Sequence, residues 1–298
     1  MTQQVEIWTV RRLLDWTTPF FQRKDVDAPR LSAEMLLSHV LKVPRLQLYV
    51  QHERELTAEQ LSAFRGLVKR ASDQEPIAYL TGVAPFFNLE FKVTPAVLIP
   101  RPDSETIVEN VLQLARHEVG FSNPRILDLC TGSGCIAAAI ASHLKNLDSV
   151  IASDLSPAAV EVARQNFASL ELSDRITVVE GDLFEALKHA SDHRPFDLIT
   201  ANPPYIRSNL IPELDASVKN FEPHLALDGG EDGLAIHRRI LSAAPDRLVP
   251  GGRVYLEIAY DQGDAARALA ATFPAYTEVK ILRDYAGNDR VLYLRKTM

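Results

Sequence analysis

Asp128-Leu129-Cys130-Thr131-Gly132-Ser133-Gly134 runs from a short apolar stretch through a glycine turn toward a second apolar segment. The pattern predicts a strand over 125–130, a tight turn, and a helix opening at Gly134, because glycine enters left-handed backbone conformations at little steric cost. Outward from this point, strands are expected at 150–154, 176–182 and 196–202, with helices opening at Gly134 and Pro157. Such alternation specifies a mostly parallel sheet with helices on both faces, an α/β fold of the Rossmann-like kind. The tail breaks the alternation. After a strand at 253–259 and a helix from Asp261, strands around 277–282 and 291–295 are joined by a short connection holding Gly287 and Asn288. Strands joined so tightly must pair antiparallel, so the last strand is expected to run against the rest.

The 298 residues are long for one compact domain, and their patterning divides them in three. Through 5–75 apolar residues recur at helical spacing, as in Leu31, Met35, Leu36 and Val40 and again in Leu61, Phe64, Leu67 and Val68, with breaks at Pro29 and Pro44. Thr57 followed by Gln60 fits a capping box. Residues 1–76 are therefore expected to form a small all-helical domain. In 77–103, short apolar and aromatic segments are cut by Gly82, Pro85, Pro95, Pro100 and Pro102, which predicts a β-hairpin connector rather than helix. Residues 104–298 form the expected α/β domain, opening on an amphipathic helix that Asp103 would cap and that runs to Ala115.

A composition of 46% hydrophobic and 24% charged residues suits a folded globular chain with a sizeable core. No apolar run reaches the roughly 18 to 20 residues that span a bilayer, and Glu6, Arg11, Arg12 and Asp15 interrupt the N-terminal segment, so a cytoplasmic protein without a membrane segment is expected. Only Cys130 and Cys135 are present, too few for a disulfide framework or a thiolate zinc site, and both are expected as small packing residues. The net charge is -7, yet residues 1–80 hold 11 Lys and Arg against 10 Asp and Glu, so the acidic excess lies beyond them. That balance weighs against a nucleic-acid substrate, because phosphate binding leaves a basic footprint.

The glycine loop also carries chemistry. It lets a backbone approach a ligand closely, and the helix behind it offers free N–H groups. Ala137 completes a G-x-G-x-x-A pattern and Asp154 follows Gly132 by 22 residues, which fits a dinucleotide and S-adenosylmethionine alike. Asp154, ending a strand, can accept both hydroxyl hydrogens of a ribose diol. Asp182 is expected to end the next strand, where it either faces the ligand crevice beside Leu183 or caps a helix that starts near Leu183.

Asn202-Pro203-Pro204-Tyr205 decides between the chemistries. Two prolines cannot continue a sheet ladder, so the chain must leave the strand in a preset conformation. A planar amide or amino nitrogen is a poor nucleophile because its lone pair is delocalised, and a site that methylates it must hold the NH2 with that lone pair toward the methyl group. The Asn202 side-chain oxygen and the Pro203 carbonyl can each accept one N–H while Tyr205 packs on the planar group. A sulfonium then serves as electrophile, and alignment supplies most of the catalysis without a strong base. A dehydrogenase would share the glycine loop but gives no reason for Asn202 to Tyr205. A nucleic-acid amino-methyltransferase shares both features and is opposed by the acidic balance. His189 and His193 have a spacing that could bind metal on a helix, but Ser191, Asp192, Arg194 and Pro195 around them read as an exposed loop with no third ligand, so no metal is expected. Gly229, Gly230 and Gly233 fit an ordinary turn as well as a functional one. Arg11-Arg12 and Lys69-Arg70 read as solvated helix faces.

The two motifs together resemble class I methyltransferases that act on amino nitrogens. The whole chain resembles the PrmC (HemK) protein-glutamine methyltransferases of peptide chain release factors. The resemblance extends to Pro76-Ile77-Ala78-Tyr79-Leu80-Thr81-Gly82, Leu98-Ile99-Pro100-Arg101-Pro102-Asp103-Ser104-Glu105, Phe221-Glu222-Pro223, Asp228-Gly229-Gly230-Glu231-Asp232-Gly233-Leu234 and Arg283-Asp284-Tyr285-Ala286-Gly287-Asn288-Asp289-Arg290. It implies a class I methyltransferase fold, S-adenosylmethionine as cofactor, and a release factor as partner, whose Gly-Gly-Gln tip presents the glutamine to be methylated while the helical domain and connector help to dock it. It implies cofactor binding by Asp128, Cys130, Thr131, Gly132, Ser133, Gly134, Asp154, Asp182, Leu183 and Asn202, and a catalytic turn of Asn202, Pro203, Pro204 and Tyr205. Cys130 stands where many members carry glycine, and Leu183 where some carry an aromatic. A cysteine in the loop is shared with the related ribosomal-protein glutamine methyltransferases, while Asn288-Asp289-Arg290 and the N-terminal half favour the release-factor branch. A monomer is expected.

Overall fold

A computed structural model describes residues 7–118, 121–189 and 194–298. They fall into two compact units, one of Met1–Val83 with Asp215–Phe221 and one of Ala84–Leu214 with Glu222–Met298.

The smaller unit is helical: α1 (Val10–Gln22), α2 (Pro29–Leu41), α3 (Arg45–Val50), α4 (Ala58–Ser72) and α5 (Ile77–Thr81). Local chemistry sets its boundaries. Pro29 opens α2, where its missing N–H costs nothing. Thr57 and Gln60 close the capping box at α4, with Gln60 N donating to Thr57 Oγ1 at 3.2 Å and Thr57 N donating to Gln60 Oε1 at 3.1 Å. Leu13, Leu14, Phe21, Leu36, Leu37 and Phe64 form the core. Residues 77–81, expected to be non-helical, form α5 instead: Leu80 joins this core, and Gly82 at φ +79° ends the helix.

From Ala84 the larger unit holds a hairpin, β1 (Val83–Phe86, its first residue still in the smaller unit) and β2 (Leu89–Lys92), turned by Phe87 and Asn88 with φ of +48° and +61°. Phe86 and Phe91 bury themselves in the core of this unit. Next come α6 (Glu105–His117), β3 (Arg125–Leu129), α7 (Cys135–His143), β4 (Ser149–Asp154), α8 (Pro157–Ser169), β5 (Ile176–Glu180) and β6 (Phe196–Ala201). A four-residue helix, α9 (Ala216–Lys219), belongs to the smaller unit; α10 (Ala235–Ala243), β7 (Leu248–Glu257), α11 (Gly263–Ala270), β8 (Tyr276–Arg283) and β9 (Asp289–Lys296) complete the larger one.

Seven strands form one sheet in the order β5-β4-β3-β6-β7-β9-β8. The first five run parallel, and β9 inserts antiparallel between β7 and β8, as the tight connection at Gly287 and Asn288 requires. Side chains of β3 alternate between the two faces. Ile126 points to a core shared with Ile107, Ile136, Ile140 and Phe167, while Leu127 and Leu129 meet Ile199, Ile240, Leu241 and Leu256 on the other face. Every residue from Cys135 to Ala141 is buried, and the alanines of that run let α7 lie close against the sheet.

Five boundaries differ from expectation. Asp103 does not cap α6: Pro102 starts a single helical turn one residue earlier, and the carboxylate pairs with Arg290 at 3.3 Å. Strands β3, β5 and β6 stop at Leu129, Glu180 and Ala201, so Cys130, Asp182 and Asn202 have already left the ladder. Strand β7 starts at Leu248, five residues before the expected 253, because an irregularity between Phe196 and Leu198 of β6 accommodates Pro250 and Gly251 within the pairing. No helix among the described residues is long and apolar enough to cross a membrane.

Candidate active site

The sheet order reverses between β3 and β6, since β4 and β5 lie to one side of β3 and β6 and β7 to the other. Ligands of open α/β sheets bind outside the strand carboxyl ends at such a reversal. A cleft of about 290 Å³ lies there, and its lining includes Cys130, Thr131, Gly132, Ser133, Asp154, Asp182, Leu183 and Asn202 from the sequence-based set.

Backbone strain shapes one wall. Cys130 and Leu183 hold φ of +54° and +50°, conformations that side-chain-bearing residues seldom adopt. Gly132 at φ +55° leaves open space where a Cβ would stand, so the backbone itself faces the cleft. Gly134 at φ +82° has a different reason, because a Cβ there would lie 2.5 Å from the Phe167 ring. Asp154 stitches the loop to its own strand end: Oδ2 accepts from Gly132 N at 2.8 Å and Oδ1 from Ser156 N at 2.9 Å. Burial raises its pKa, and the backbone donors at Ser156 and Gly132 oppose the rise. Each oxygen keeps a further lone pair for a ligand hydroxyl.

Asp128 does not reach the cleft. It is 1% exposed beneath the loop, with one oxygen accepting from Thr131 Oγ1 at 2.6 Å and the other from Thr200 Oγ1 at 2.7 Å. Its carboxylate thus ties the glycine loop to β6 across β3, and burial pushes it up to about 6. Asp182 lines the cleft, and Arg239 Nη2 donates to its Oδ2 at 2.7 Å, so one of its oxygens is already engaged by a cation. Both of the expected packing cysteines line the cleft, Cys135 buried and Cys130 half-buried; burial and the Asp154 charge keep the Cys130 thiol protonated.

The Asn202–Tyr205 turn is built from behind. Asn202 Nδ2 donates to Ser104 Oγ at 3.0 Å. With the nitrogen committed there, the side-chain oxygen is the atom left for a ligand in the cleft that Asn202 lines. Pro204 also lines the cleft, whereas Pro203 is buried and the Tyr205 hydroxyl turns inward to Glu257 Oε1 at 3.1 Å. Burial and the Glu257 charge hold that hydroxyl protonated, hence a donor. Gln262 Nε2 donates to the Tyr205 carbonyl at 3.0 Å. The 229–233 glycines wrap the turn: Gly229 N donates to Ile206 O at 2.8 Å, a Cβ on Gly229 would sit 2.7 Å from Tyr205 Cα, and one on Gly233 would sit 2.4 Å from the Tyr205 carbonyl oxygen. The cluster is therefore a close-approach device and not an ordinary turn.

Several cleft residues lie outside the glycine loop and the Asn202–Tyr205 turn. Val97, Pro100, Arg101 and Ser104 arrive from the segment before α6, Leu155 follows Asp154, Leu225 and Ala226 rise from a loop, and Arg239 comes from α10. The 98–105 stretch was visible through its resemblance to the family; Arg239 had no local signal, since its place depends on where α10 packs. His193 lies outside the described residues, and no group of three or more His, Cys, Asp or Glu suited to a metal ion occurs among the described residues.

The fold agrees with what known proteins show. The family model described as PrmC N-terminal domain matches residues 12–82, and the one described as conserved hypothetical protein 95 matches 88–227. The chain is similar to a release factor glutamine methyltransferase of Rhodopirellula baltica, 39% identical over 97% of this chain and 97% of that protein. One of Geobacter sulfurreducens is 41% identical over 98% of each. A crystal structure of a methyltransferase from Pyrococcus furiosus superposes with a TM-score of 0.51 at 22% identity, covering 72% of this chain and 91% of that one, which bears on the fold alone. A mostly parallel seven-stranded sheet with its last strand inserted antiparallel is the class I methyltransferase arrangement, and near-full-length identity of about two residues in five leaves one assignment: the chain belongs to the release factor glutamine methyltransferase family.

Proposed function

We propose that this protein transfers a methyl group from S-adenosylmethionine to the side-chain amide nitrogen of the glutamine in the Gly-Gly-Gln motif of a peptide chain release factor. The observation that carries the reading is the orientation of Asn202: its nitrogen is held by Ser104, which leaves an oxygen acceptor in a cleft beside a glycine loop. The names of the relatives support the same acceptor.

The residues present fit the cofactor. Gly132 exposes backbone to the cleft, Asp154 offers spare lone pairs for ribose hydroxyls, and Leu155 and Leu183 give apolar walls for a planar base. Cys130, Thr131, Ser133 and Gly134 shape the loop around it. Bound there, S-adenosylmethionine supplies an electrophilic methyl group. The Asn202 oxygen and the Pro203 carbonyl then hold the two amide N–H groups of the substrate, which orients the nitrogen lone pair, while Pro204 and Tyr205 complete the turn that keeps this geometry rigid. Because the rate gain comes from orientation, no strongly basic side chain is needed ahead of methyl transfer, and the proton that the alkylated amide nitrogen must shed, made strongly acidic by the new N–C bond, can pass to solvent. The helical unit, through the segment matching the PrmC N-terminal model, contributes docking surface for the release factor.

The test is transfer of labelled methyl from S-adenosylmethionine to a purified release factor, run beside its Gly-Gly-Ala tip variant, a ribosomal protein extract, DNA and RNA. Label on the intact release factor alone supports the reading. Label on a ribosomal protein or nucleic acid keeps the chemistry and overturns the acceptor.

A further inference from the structure

Glu257 ends β7 fully buried, behind the Asn202–Tyr205 turn and outside the lining of the cleft. Its Oε1 accepts from the Tyr205 hydroxyl at 3.1 Å, and among the described residues its Oε2 is otherwise unpartnered, the Ser104 hydroxyl being the one donor beside it that favours its charge. Such an arrangement is costly, because a buried carboxylate must offset lost hydration with donors. The backbone is pinned as well: the His237 ring, held neutral by burial, places Nε2 2.7 Å from the Glu257 carbonyl oxygen. The titratable and charged groups that face the carboxylate are Tyr205 from the turn, Asp103 from the segment before α6, and Arg290 from β9, with His237 of α10 at its carbonyl. Ser104 completes the set. Its oxygen takes the Asn202 amide, which leaves its own proton to give, and it favours the charged form of Glu257.

We infer that Glu257 is a positioning residue for methyl transfer, acting through the Tyr205 hydroxyl on one side and through Ser104 on the other to fix both ends of the Asn202–Tyr205 turn. The inference rests on the reading that this turn aligns an amide for methylation. Glu257 itself touches neither cofactor nor substrate. Its ionised form is an acceptor only and can take both hydroxyl protons, whereas protonation turns one oxygen into a donor and leaves a weaker acceptor set for the two hydroxyls. The same two side chains that hold the amide-binding atoms thus respond to one buried group.

The experiment measures steady-state methylation of a purified release factor by the wild type and by Glu257→Gln, Glu257→Asp, Tyr205→Phe and the double variant Tyr205→Phe/Glu257→Gln, with calorimetric titration of S-adenosylmethionine into each. Expected for Glu257→Gln is a kcat lower by about ten- to a hundredfold, the worth of a hydrogen bond to a charged group. KM and cofactor affinity should stay within about twofold, since nothing that touches the ligands is removed. The wild-type kcat should rise with pH as Glu257 ionises near its value of about 7, and this limb should vanish in Glu257→Gln. Glu257→Asp should restore part of the rate, and the double variant should fall no further than the more impaired single variant, because the two residues act in series. If Glu257→Gln melts below assay temperature, Ser104→Ala carries the test, with the same loss of kcat and a weakened pH limb expected. A Glu257→Gln enzyme with wild-type kcat and an unchanged pH limb would overturn the inference. An inactive wild type would overturn the underlying reading instead, so the two failures are distinguishable.

Discussion

Asn202 is a residue whose worth lies in which of its atoms is free. Ser104 accepts one N–H of the amide nitrogen, which fixes the oxygen as the acceptor that remains for the substrate. Asn202→Ala removes an aligning contact whose effect is felt in the transition state, and kcat is expected to fall about a hundredfold or more while S-adenosylmethionine affinity falls much less. Turnover kinetics with calorimetry check this; an undiminished kcat would sink the alignment mechanism. The two loop glycines separate steric from ligand effects in the same way. Gly134→Ala drives a methyl group to 2.5 Å from the Phe167 ring at φ +82°, and a loss of roughly 2–4 kcal/mol in a denaturation experiment is expected. Gly132→Ala meets no protein atom within 4 Å, so its stability cost should be only the backbone strain, about 1–2 kcal/mol, with the larger effect on cofactor binding. Equal destabilisation by both would contradict the geometry.

At the level of elements, Asp128 is the fastener of the cleft floor. It sits on β3, opposite Thr200 of β6 in the parallel register, and reaches forward to Thr131 in the loop. Asp128→Ala would strand two buried hydroxyls, and a loss of about 2–4 kcal/mol is expected, with weaker cofactor binding as the loop loosens. Asp128→Asn, which keeps one acceptor, should lose less. A chemical denaturation series on the two variants measures the difference, and equal losses would show that Asp128 acts by packing rather than by its acceptors. Which strands and helices form was largely legible in the sequence, because their apolar periods and the capping box at Thr57 and Gln60 are local. The exceptions were set by packing. Leu80 made 77–81 a helix by joining the helical core, Arg290 drew Asp103 away from a capping role, and α10 carried no boundary signal of its own.

Over the whole molecule, pH acts through three buried groups of opposite sign. Asp128 and Glu257 are raised to about 6 and about 7, so the folded chain binds more protons than the unfolded one, and their contribution to stability falls as pH rises from the ordinary carboxylate range through those values. His237 is lowered to about 4, which works in the other direction between about 4 and its ordinary 6.5. Near pH 7 only Glu257 still titrates among the three. Glu257→Gln should therefore gain stability relative to the wild type between pH 5 and pH 8, on the order of 3 kcal/mol, even though it loses activity. Denaturation midpoints of both proteins at the two pH values check the sign, and a difference independent of pH would show that Glu257 does not change charge on unfolding. The sequence by itself determined which strands form, the glycine loop and the Asn202–Tyr205 turn, because apolar periodicity and the backbone conformations that Gly and Pro impose are both local. It also placed Asp154 and Leu183 at the cleft, where a strand end and the turn after it put them. Only the tertiary structure decided that Asp128 is a fastener beneath the cleft, that Asp182 is paired with Arg239, that Ser104 orients Asn202, and that Gly229 and Gly233 make room for Tyr205. The reason is range. Apart from Thr131, three residues from Asp128, those partners stand tens of residues apart in the chain, and only burial in a shared core brings their donors and acceptors within reach of one another.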